Sequence, residues 1–376
     1  MTTVADRLAA RAEALMAIPS ESRQEEAILT EIRGSLPDTF RVVDEEDSVL
    51  LAFPERRPGA PLVILAGHVD TVPLGRIGPG RREGATLHGR GASDMKSGLA
   101  VMLQIADSVA TTATAATAAA ATAAESPQIG SDLDVGLLFF GREELPFAES
   151  ALVPLFDRRP EIADATLAIV LEPTANRLEL GCLGNLNATI TFEGEAAHSA
   201  RPWLGRNAIH AAIAALAPVS DLPARDVEVE GLVYREVASV TTIRGGVATN
   251  VVPDHVTAHV NFRYAPTHTP AEAERRLREL LGHPSAVTEI IGNAPPGRPP
   301  ARNRLVERLR AAGDLVVGPK QAWTPVAEFG LARVDAVNLG PGDPQYAHRD
   351  DEQVDVGALV RSYEVLRAFL GTERTR

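Results

Sequence analysis

The sequence has little cysteine, an excess of negative charge and no long hydrophobic run. Its one cysteine, Cys182, cannot form an internal disulfide, and no Cys-x-x-Cys pair exists for a zinc finger or redox motif. With 37 basic and 50 acidic residues the net charge is −13, which argues against a nucleic-acid or anionic-membrane surface. No stretch of about 18 apolar residues occurs, and the N-terminus lacks a signal-peptide core. We therefore expect a soluble, cytoplasmic protein that binds neither nucleic acid nor membrane.

The chain has an ordinary globular composition and enough length for two domains. It has 376 residues, of which 45% are hydrophobic and 23% charged. At roughly 150 residues per domain, two domains are expected. Because the overall charge is negative, an anionic substrate would need a local cluster of positive groups.

The first half of the chain has the pattern of an α/β domain. Residues 4–17 have helical periodicity, and residues 61–67, 134–140 and 165–173 are continuous apolar runs. Such runs are typical of strands buried on both faces, and residues 97–106 between them have helical spacing. The sequence predicts an α/β domain with a mostly parallel sheet.

From residue 185 the pattern changes to one typical of an inserted domain. Alternating and helical segments follow one another in the order βαββαβ, which is the split βαβ pattern of ferredoxin-like domains. After a proline- and glycine-rich segment, a strand at 334–338 and a helix at 356–370 resume the α/β pattern. We predict a discontinuous catalytic domain, 1–184 and 293–376, around an inserted domain, 185–292.

Residues 110–124 consist almost entirely of alanine and threonine. Alanine favours an extension of the preceding helix, whereas low complexity is also typical of a loop. Of the two we favour the loop. The tract carries no chemically reactive group, so we assign it no function.

Acidic and histidine residues follow the predicted strands of the α/β domain. Ligands of open α/β sheets bind at this carboxyl edge. Each residue by itself also has an ordinary explanation, such as a helix cap, a solvated carboxylate or a loop histidine. Together they form a set of imidazole and carboxylate donors suited to Zn²⁺ or a similar ion, and their number suggests two ions. The set comprises His68, Asp70, Asp94, Glu143, Glu144, Glu172 and His348.

Several strings resemble one family of enzymes across nearly the whole chain. They are GHVDTVP at 67–73, GRGASDMKSG at 89–98, the glutamates 143–144 and AH at 347–348. Together they resemble the two-zinc amidohydrolases, a family that includes aminoacylases, acetylornithine deacetylases and succinyl-diaminopimelate desuccinylases. Strings such as GGVATNVVPD and GPGDPQYAHRDDE look most like the actinobacterial desuccinylase type.

The resemblance implies a zinc-peptidase-like catalytic domain with two Zn²⁺ ions, for which Co²⁺ can substitute. It implies that one ion binds His68, Asp94 and Glu172. The other would bind Asp94, Glu144 and His348, so that Asp94 bridges the pair. Asp70 would orient His68. Glu143 would be the general base, which takes a proton from water and returns it to the leaving amine.

The resemblance also implies that the inserted domain is a lid and the site of homodimerisation. His198 would reach the partner's active site and stabilise the oxyanion, whereas Asn250 and Arg263 would contact substrate carboxylates. The expected reaction is hydrolysis of N-succinyl-LL-2,6-diaminopimelate to succinate and LL-2,6-diaminopimelate, a step in lysine biosynthesis.

Two residues depart from the family pattern and leave other substrates open. The segment around 321–330 has Pro325 where the family usually has Asp, and Glu328 where it usually has Arg. Exchanging a cation for an anion should weaken binding of a dianionic substrate. The alternatives are a deacylase of another N-acyl amino acid such as N-acetylornithine, a dipeptidase, or a non-catalytic binding protein.

Overall fold

The computed structural model describes residues 2–78, 80–118, 132–284 and 286–371. Within these ranges the helices are α1 (Val4–Met16), α2 (Glu26–Ser35), α3 (Lys96–Ala118), α4 (Leu152–Arg158), α5 (Ala208–Ser220), α6 (Pro270–Leu280), α7 (Arg304–Gly313), α8 (Val326–Leu331) and α9 (Val356–Leu370).

The strands alternate with these helices along the chain. They are β1 (Arg41–Asp44), β2 (Val49–Phe53), β3 (Leu62–His68), β4 (Arg81–Glu83), β5 (Thr86–His88), β6 (Asp134–Phe140), β7 (Ala165–Val170), β8 (Leu178–Leu180), β9 (Gly184–Glu193), β10 (Ala197–His198), β11 (Arg225–Val229), β12 (Leu232–Gly245), β13 (Val251–Val252), β14 (His255–Tyr264), β15 (Ala286–Ala294), β16 (Val317–Pro319), β17 (Ala336–Asn338) and β18 (Gln353–Asp355).

The chain divides into two compact units. The first comprises Met1–Leu180, Pro299–Gly318 and Glu328–Arg376, and the second Gly181–Arg298 and Pro319–Ala327. The division differs from the predicted boundaries, 1–184 and 293–376 against 185–292, chiefly because the segment 319–327 returns to the second unit. There the Leu183 N–H donates to the carbonyl of Ala322 (3.2 Å), a contact that the local sequence pattern does not encode.

The first unit is built on an eight-stranded sheet with the order β1-β2-β6-β3-β7-β17-β8-β16. Its central strands β6, β3, β7 and β17 are parallel. All residues of β3 and β6 are buried, as their continuous apolar runs predict. Helix α3 packs against β3 and α7 against β7, and α9 contacts both helices. The α/β prediction with a mostly parallel sheet is confirmed.

The second unit has the predicted βαββαβ order, with an additional edge strand. Its antiparallel sheet has the order β11-β12-β14-β9-β15. Without β11 this is the strand order of ferredoxin-like domains. One sheet face packs its apolar side chains against α5 and α6. Helix α6 begins at a capping box, in which Thr269 and Glu272 each accept the other's backbone N–H.

The loop favoured for the alanine- and threonine-rich tract is wrong for its first part. Helix α3 continues through residue 118. Alanine has the highest helix propensity of all residues, so the tract extends the helix that precedes it. Residues 119–124 lie outside the described ranges.

Candidate metal centre

The sheet order explains how the candidate ligands of the first unit meet. Strand β3 lies between β6 and β7, and all three run parallel. Their carboxyl ends therefore share one edge, where His68 ends β3, Glu143 and Glu144 follow β6, and Glu172 follows β7. Ligands of α/β sheets bind at this edge because the loops after adjacent parallel strands converge there.

Two further candidates come from loops. Asp94 precedes α3, and His348 lies in the loop between β17 and β18. His348 has a φ of 63°, a left-handed conformation uncommon for residues other than glycine. The loop after β17 also passes close to Glu172. At Gly340 a Cβ would lie 2.4 Å from the Glu172 carbonyl oxygen, so only glycine allows this approach.

His68, Asp94 and Glu172 form one group of potential ligands. Their ligand atoms all lie within 4.8 Å of one another. The Nε2 atom of His68 is 3.0 Å from Asp94 Oδ1 and 3.7 Å from Glu172 Oε1. These side chains are almost completely buried, and two carboxylates facing one imidazole nitrogen form a pocket for a cation.

Asp94, Glu144 and His348 form a second group with the same 4.8 Å limit. The Nε2 atom of His348 is 2.9 Å from Glu144 Oε1 and 3.3 Å from Asp94 Oδ2. Asp94 therefore turns one carboxylate oxygen toward each histidine, which is the arrangement of a bridging ligand. The membership of the two groups equals that implied by the family resemblance.

The pKa values reflect how closely acidic and basic groups are packed. Burial raises the pKa of Glu143 well above its usual range, and the charges of Glu172 and Glu144 raise it further. Hydrogen bonds with Asp94 and Glu144 raise the pKa of His348 to about 10. Crowded carboxylates destabilise one another unless a cation or proton compensates. The electrostatics of the cluster thus favour a bound cation.

Asp70 holds the turn that carries the two glutamates. Its Oδ1 accepts the backbone N–H of Glu143 (3.1 Å), and its Oδ2 accepts that of Glu144 (3.2 Å). The hydroxyl of Ser22 also donates to Oδ2 (2.8 Å), a contact that sequence reasoning missed. Asp70 is fully buried, and these three donors stabilise its negative charge.

His68 is oriented by the main chain of Asp70 more closely than by its carboxylate. Its Nδ1 is 2.9 Å from the carbonyl oxygen of Asp70 and 3.6 Å from Oδ1. Because a carbonyl oxygen only accepts hydrogen bonds, Nδ1 carries the proton. Nε2 is therefore the nitrogen available to a metal. In metal-binding histidines the other ring nitrogen typically donates a hydrogen bond, as Nδ1 does here to the Asp70 carbonyl oxygen.

Glu352 and Arg90 support the loop of Asp94, and sequence reasoning missed both. Glu352 Oε1 accepts the backbone N–H groups of Ser93 and Asp94, both at 3.0 Å. Its Oε2 accepts Arg90 Nη1 at 2.9 Å, and the same nitrogen donates to the carbonyl of Arg349 at 3.2 Å. The pair is buried and joins the loops of Asp94 and His348. In the sequence, Glu352 ends the charged string RDDE, which is typical of an exposed loop, so its burial was not predicted.

The remaining predicted residues lie in the second unit. His198 is exposed at the end of β10, which pairs with β13, and Ser199 N–H donates to the Asn250 carbonyl (2.9 Å). The Ala200 N–H donates to His198 Nδ1 (3.0 Å), so neutral His198 carries its proton on Nε2. Arg263 lies on β14, in register with Asn185 of β9.

Of the two departures from the family pattern, Glu328 has a distinctive environment. Pro325 is buried just before α8, and Glu328 lies within α8, only 2% exposed. Burial raises the pKa of Glu328 to about 7, against a smaller lowering effect of Ser150. Because a carboxyl group is either neutral or negative, this position supplies no cation.

Comparison with known proteins shows the family to which the chain belongs. Residues 181–289 match the M20 peptidase dimerisation domain, and residues 48–177 match peptidase family M28. A Mycobacterium tuberculosis protein named DapE is 39% identical over 365 residues, 95% of this chain and 96% of the relative. The chain belongs to the M20 peptidase family. It is a metal-dependent hydrolase, and the recognition of the family from its motifs is confirmed.

Two further comparisons extend over nearly the whole M20 chain. The succinyl-diaminopimelate desuccinylase of Corynebacterium glutamicum is 36% identical over 366 residues, 95% of this chain and 94% of the relative. The M20 family metallo-carboxypeptidase Sso-CP2 of Sulfolobus solfataricus has a TM-score of 0.75 at 18% identity, covering 97% of this chain and 98% of that one. The latter likeness concerns the fold alone. Among the described helices, none is long and apolar enough to span a bilayer.

Proposed function

We propose that this M20 hydrolase cleaves the amide bond of N-succinyl-LL-2,6-diaminopimelate, which yields succinate and LL-2,6-diaminopimelate. The observation that carries the proposal is the pair of ligand groups sharing Asp94, with Glu143 beside them. The near full-length similarity to relatives named succinyl-diaminopimelate desuccinylase supports this substrate. The reaction would belong to lysine biosynthesis.

The donor set fits two divalent cations. We assign one position to His68, Asp94 and Glu172, and the other to Asp94, Glu144 and His348. Imidazole and carboxylate donors suit Zn²⁺, and Co²⁺ accepts the same ligands. When bound, such a pair acidifies a water molecule and polarises an amide carbonyl.

Glu143 is the general base in this proposal. It is held by Asp70 through its backbone N–H, and it forms a third potential ligand group with His68 and Glu144. Its carboxylate takes a proton from the attacking water and delivers it to the nitrogen of the breaking C–N bond. Water and amide thus become a carboxylic acid and an amine.

The second unit supplies the remaining groups. Neutral His198 has an N–H at Nε2, which can donate a hydrogen bond to the oxyanion that develops on the carbonyl oxygen. Asn250 and Arg263 contact substrate carboxylates. We assign His198 to the active site of the partner subunit, as the family resemblance implies.

A second substrate class is favoured by Glu328. A buried carboxyl at the position where the family usually has arginine removes one positive charge from substrate recognition. An N-acyl amino acid with fewer negative charges, such as N-acetylornithine, would suffer less from this loss.

We expect purified, zinc-loaded enzyme to hydrolyse N-succinyl-LL-2,6-diaminopimelate with a higher kcat/KM than N-acetylornithine. Both substrates are assayed side by side by release of primary amine, with chelator-treated protein as the control. A clear preference for N-acetylornithine would reject the proposed substrate and retain the hydrolase chemistry. If the missing positive charge causes that preference, Glu328→Arg should improve turnover of N-succinyl-LL-2,6-diaminopimelate.

We also propose a homodimer that forms through strand β12. Strand β11 covers β12 only from Leu232 to Glu236, so among the described residues 237–245 have a neighbouring strand on one side only. Ile243 on this edge is 53% exposed, and the neighbouring α5 exposes 61% of Ile213. An open edge next to exposed apolar side chains is suited to pairing with a second copy.

The opposite edge, β15, also exposes apolar side chains, with Val287 at 65% and Ile291 at 52%, but its neighbouring helix makes it less suited to pairing. It lies beside α6, which exposes charged residues such as Arg275, Arg278 and Glu279. Interface centres are depleted in charged side chains, so this edge is disfavoured.

Replacing Ile243 by lysine is expected to weaken the dimer by roughly tenfold or more, because a two-fold axis brings both lysines into one interface. Analytical ultracentrifugation over a concentration series measures the dissociation constant. Val287→Lys, a matched change on β15, should leave dimerisation unchanged. A wild-type protein that is monomeric at every concentration, or disruption only by Val287→Lys, would contradict the assignment.

A further inference from the structure

Four polar residues form a connected ladder on one face of the second unit's sheet. Asn261 and Arg263 of β14 are in register with Asn187 and Asn185 of β9. Residues two apart on a strand share a face, so the four side chains lie together. The intervening residues, such as Leu186 and Phe262, belong to the apolar core on the other face.

The hydrogen bonds of the ladder determine the orientation of Asn261. Its Nδ2 donates to the Oδ1 atoms of Asn185 (2.7 Å) and Asn187 (2.8 Å). Its Oδ1 accepts Nε–H of Arg263 (3.0 Å). The reversed amide would place Nδ2 against a donor and Oδ1 against two acceptors. Both hydrogens of the amide are used, so its oxygen is held toward Arg263.

Arg263 is partly buried without a counterion. Within the described part of the chain, no carboxylate forms an ion pair with it, and Nη1 and Nη2 have no hydrogen-bond partner. Arg276 of the same unit is different, since Glu236 binds both of its Nη atoms at 3.2 and 3.0 Å. Both Nη atoms reach solvent, so an incoming anion can meet them.

We propose that Asn261 is a positioning residue, which holds Nε of Arg263 so that both Nη nitrogens remain available to one substrate carboxylate. Asn185 and Asn187 fix Asn261 in turn. Bidentate binding of a carboxylate requires the planar fork of arginine in one orientation, and the ladder supplies it before substrate arrives. The inference rests on the proposed function insofar as Arg263 contacts a substrate carboxylate.

The test compares a substrate with its analogues in which each carboxylate in turn is a carboxamide. We expect Asn261→Ala to raise KM for the carboxylate substrate about tenfold, at the lower limit of the range for hydrogen bonds to charged groups, with kcat changed less than about twofold. One carboxamide analogue should show no such increase. Thr257→Ala, on the same face of β14, is the control and should leave both constants unchanged.

A double-mutant cycle separates positioning from general damage. Arg263→Lys removes the bidentate fork, so in that background Asn261→Ala should have almost no further effect on KM. Equal effects of Asn261→Ala on carboxylate and carboxamide substrates, or additive effects with Arg263→Lys, would overturn the proposal. If circular dichroism shows that the alanine variant does not fold, Asn261→Leu replaces it, because leucine keeps the side-chain volume and has no acceptor for Nε–H of Arg263.

Failure of the positioning role of Asn261 can be distinguished from failure of the proposed function. If N-succinyl-LL-2,6-diaminopimelate is not hydrolysed, the same cycle is run with the N-acetylornithine that the second candidate function requires. Calorimetric titration with succinate gives a readout without turnover, in which Asn261→Ala should weaken binding. Unchanged succinate affinity together with unchanged KM for both substrates would reject the positioning role.

Discussion

Replacing Glu143 by glutamine is expected to lower kcat by about 10²–10⁴-fold, the range typical of a lost general acid–base group. The glutamine side chain has nearly the same shape but cannot accept a proton from water at neutral pH. The backbone N–H of residue 143 should still bind Asp70, so the turn that carries Glu144 is retained. Steady-state kinetics measures the effect, with N-succinyl-LL-2,6-diaminopimelate or N-acetylornithine as substrate, whichever the wild-type enzyme hydrolyses faster.

Metal content separates this role from a structural one. Glu143→Gln should retain nearly all bound metal by elemental analysis. The neighbouring Glu144→Gln, which changes a proposed ligand within hydrogen-bond distance of His348, should lose part of it. Unimpaired turnover by Glu143→Gln would remove Glu143 from its assigned role. Loss of metal from both variants would show that Glu143 is itself a metal ligand.

Replacing Glu352 by alanine is expected to destabilise the metal-free protein by about 3–5 kcal/mol, because it leaves the buried charge of Arg90 unpaired. Arg90 and Glu352 are 6% and 1% exposed, so bulk water does not screen the guanidinium that the variant leaves behind. The backbone N–H groups of Ser93 and Asp94 also lose their acceptor. Urea denaturation measures the free energy of unfolding, and calorimetric Zn²⁺ titration measures the affinity of the site.

The adjacent residue provides a matched control. Asp351 pairs with Arg349 at 2.7 Å, but both side chains are about 60% exposed. Asp351→Ala should therefore change stability and Zn²⁺ affinity little. Glu352→Gln keeps an acceptor for the two N–H groups and should recover part of the affinity lost in the alanine variant. If Glu352→Ala behaves like Asp351→Ala, the pair does not support the loop of Asp94.

Local sequence patterns predicted most of the regular structure. The runs 134–140 and 356–370 match the observed β6 and α9 at both ends. In each of them the hydrophobic period and the flanking residues predict the same element, so its position depends little on contacts with distant segments. The alanine- and threonine-rich tract was misjudged because helix propensity and low complexity make opposite predictions there.

The ligand candidates and their grouping were predicted by a different route. The residues showed which strands carry imidazole and carboxylate groups at their ends, and the resemblance to the two-zinc amidohydrolases supplied the division into two sets. Ser22 and Glu352 were missed. Their partners are distant in sequence, since Glu352 and Asp94 are 258 residues apart, and no short pattern records such a contact.

The amino-acid order alone determined the two types of domain, the strand and helix segments that form them, and the chemistry available at the strand ends, because these depend on neighbours within a few turns. Only the tertiary structure decided that β3 lies between β6 and β7, that 319–327 returns to the second unit, and that Asn261 holds Arg263. Sheet order and side-chain orientation result from packing between distant segments, whose free energy is not encoded in any local pattern.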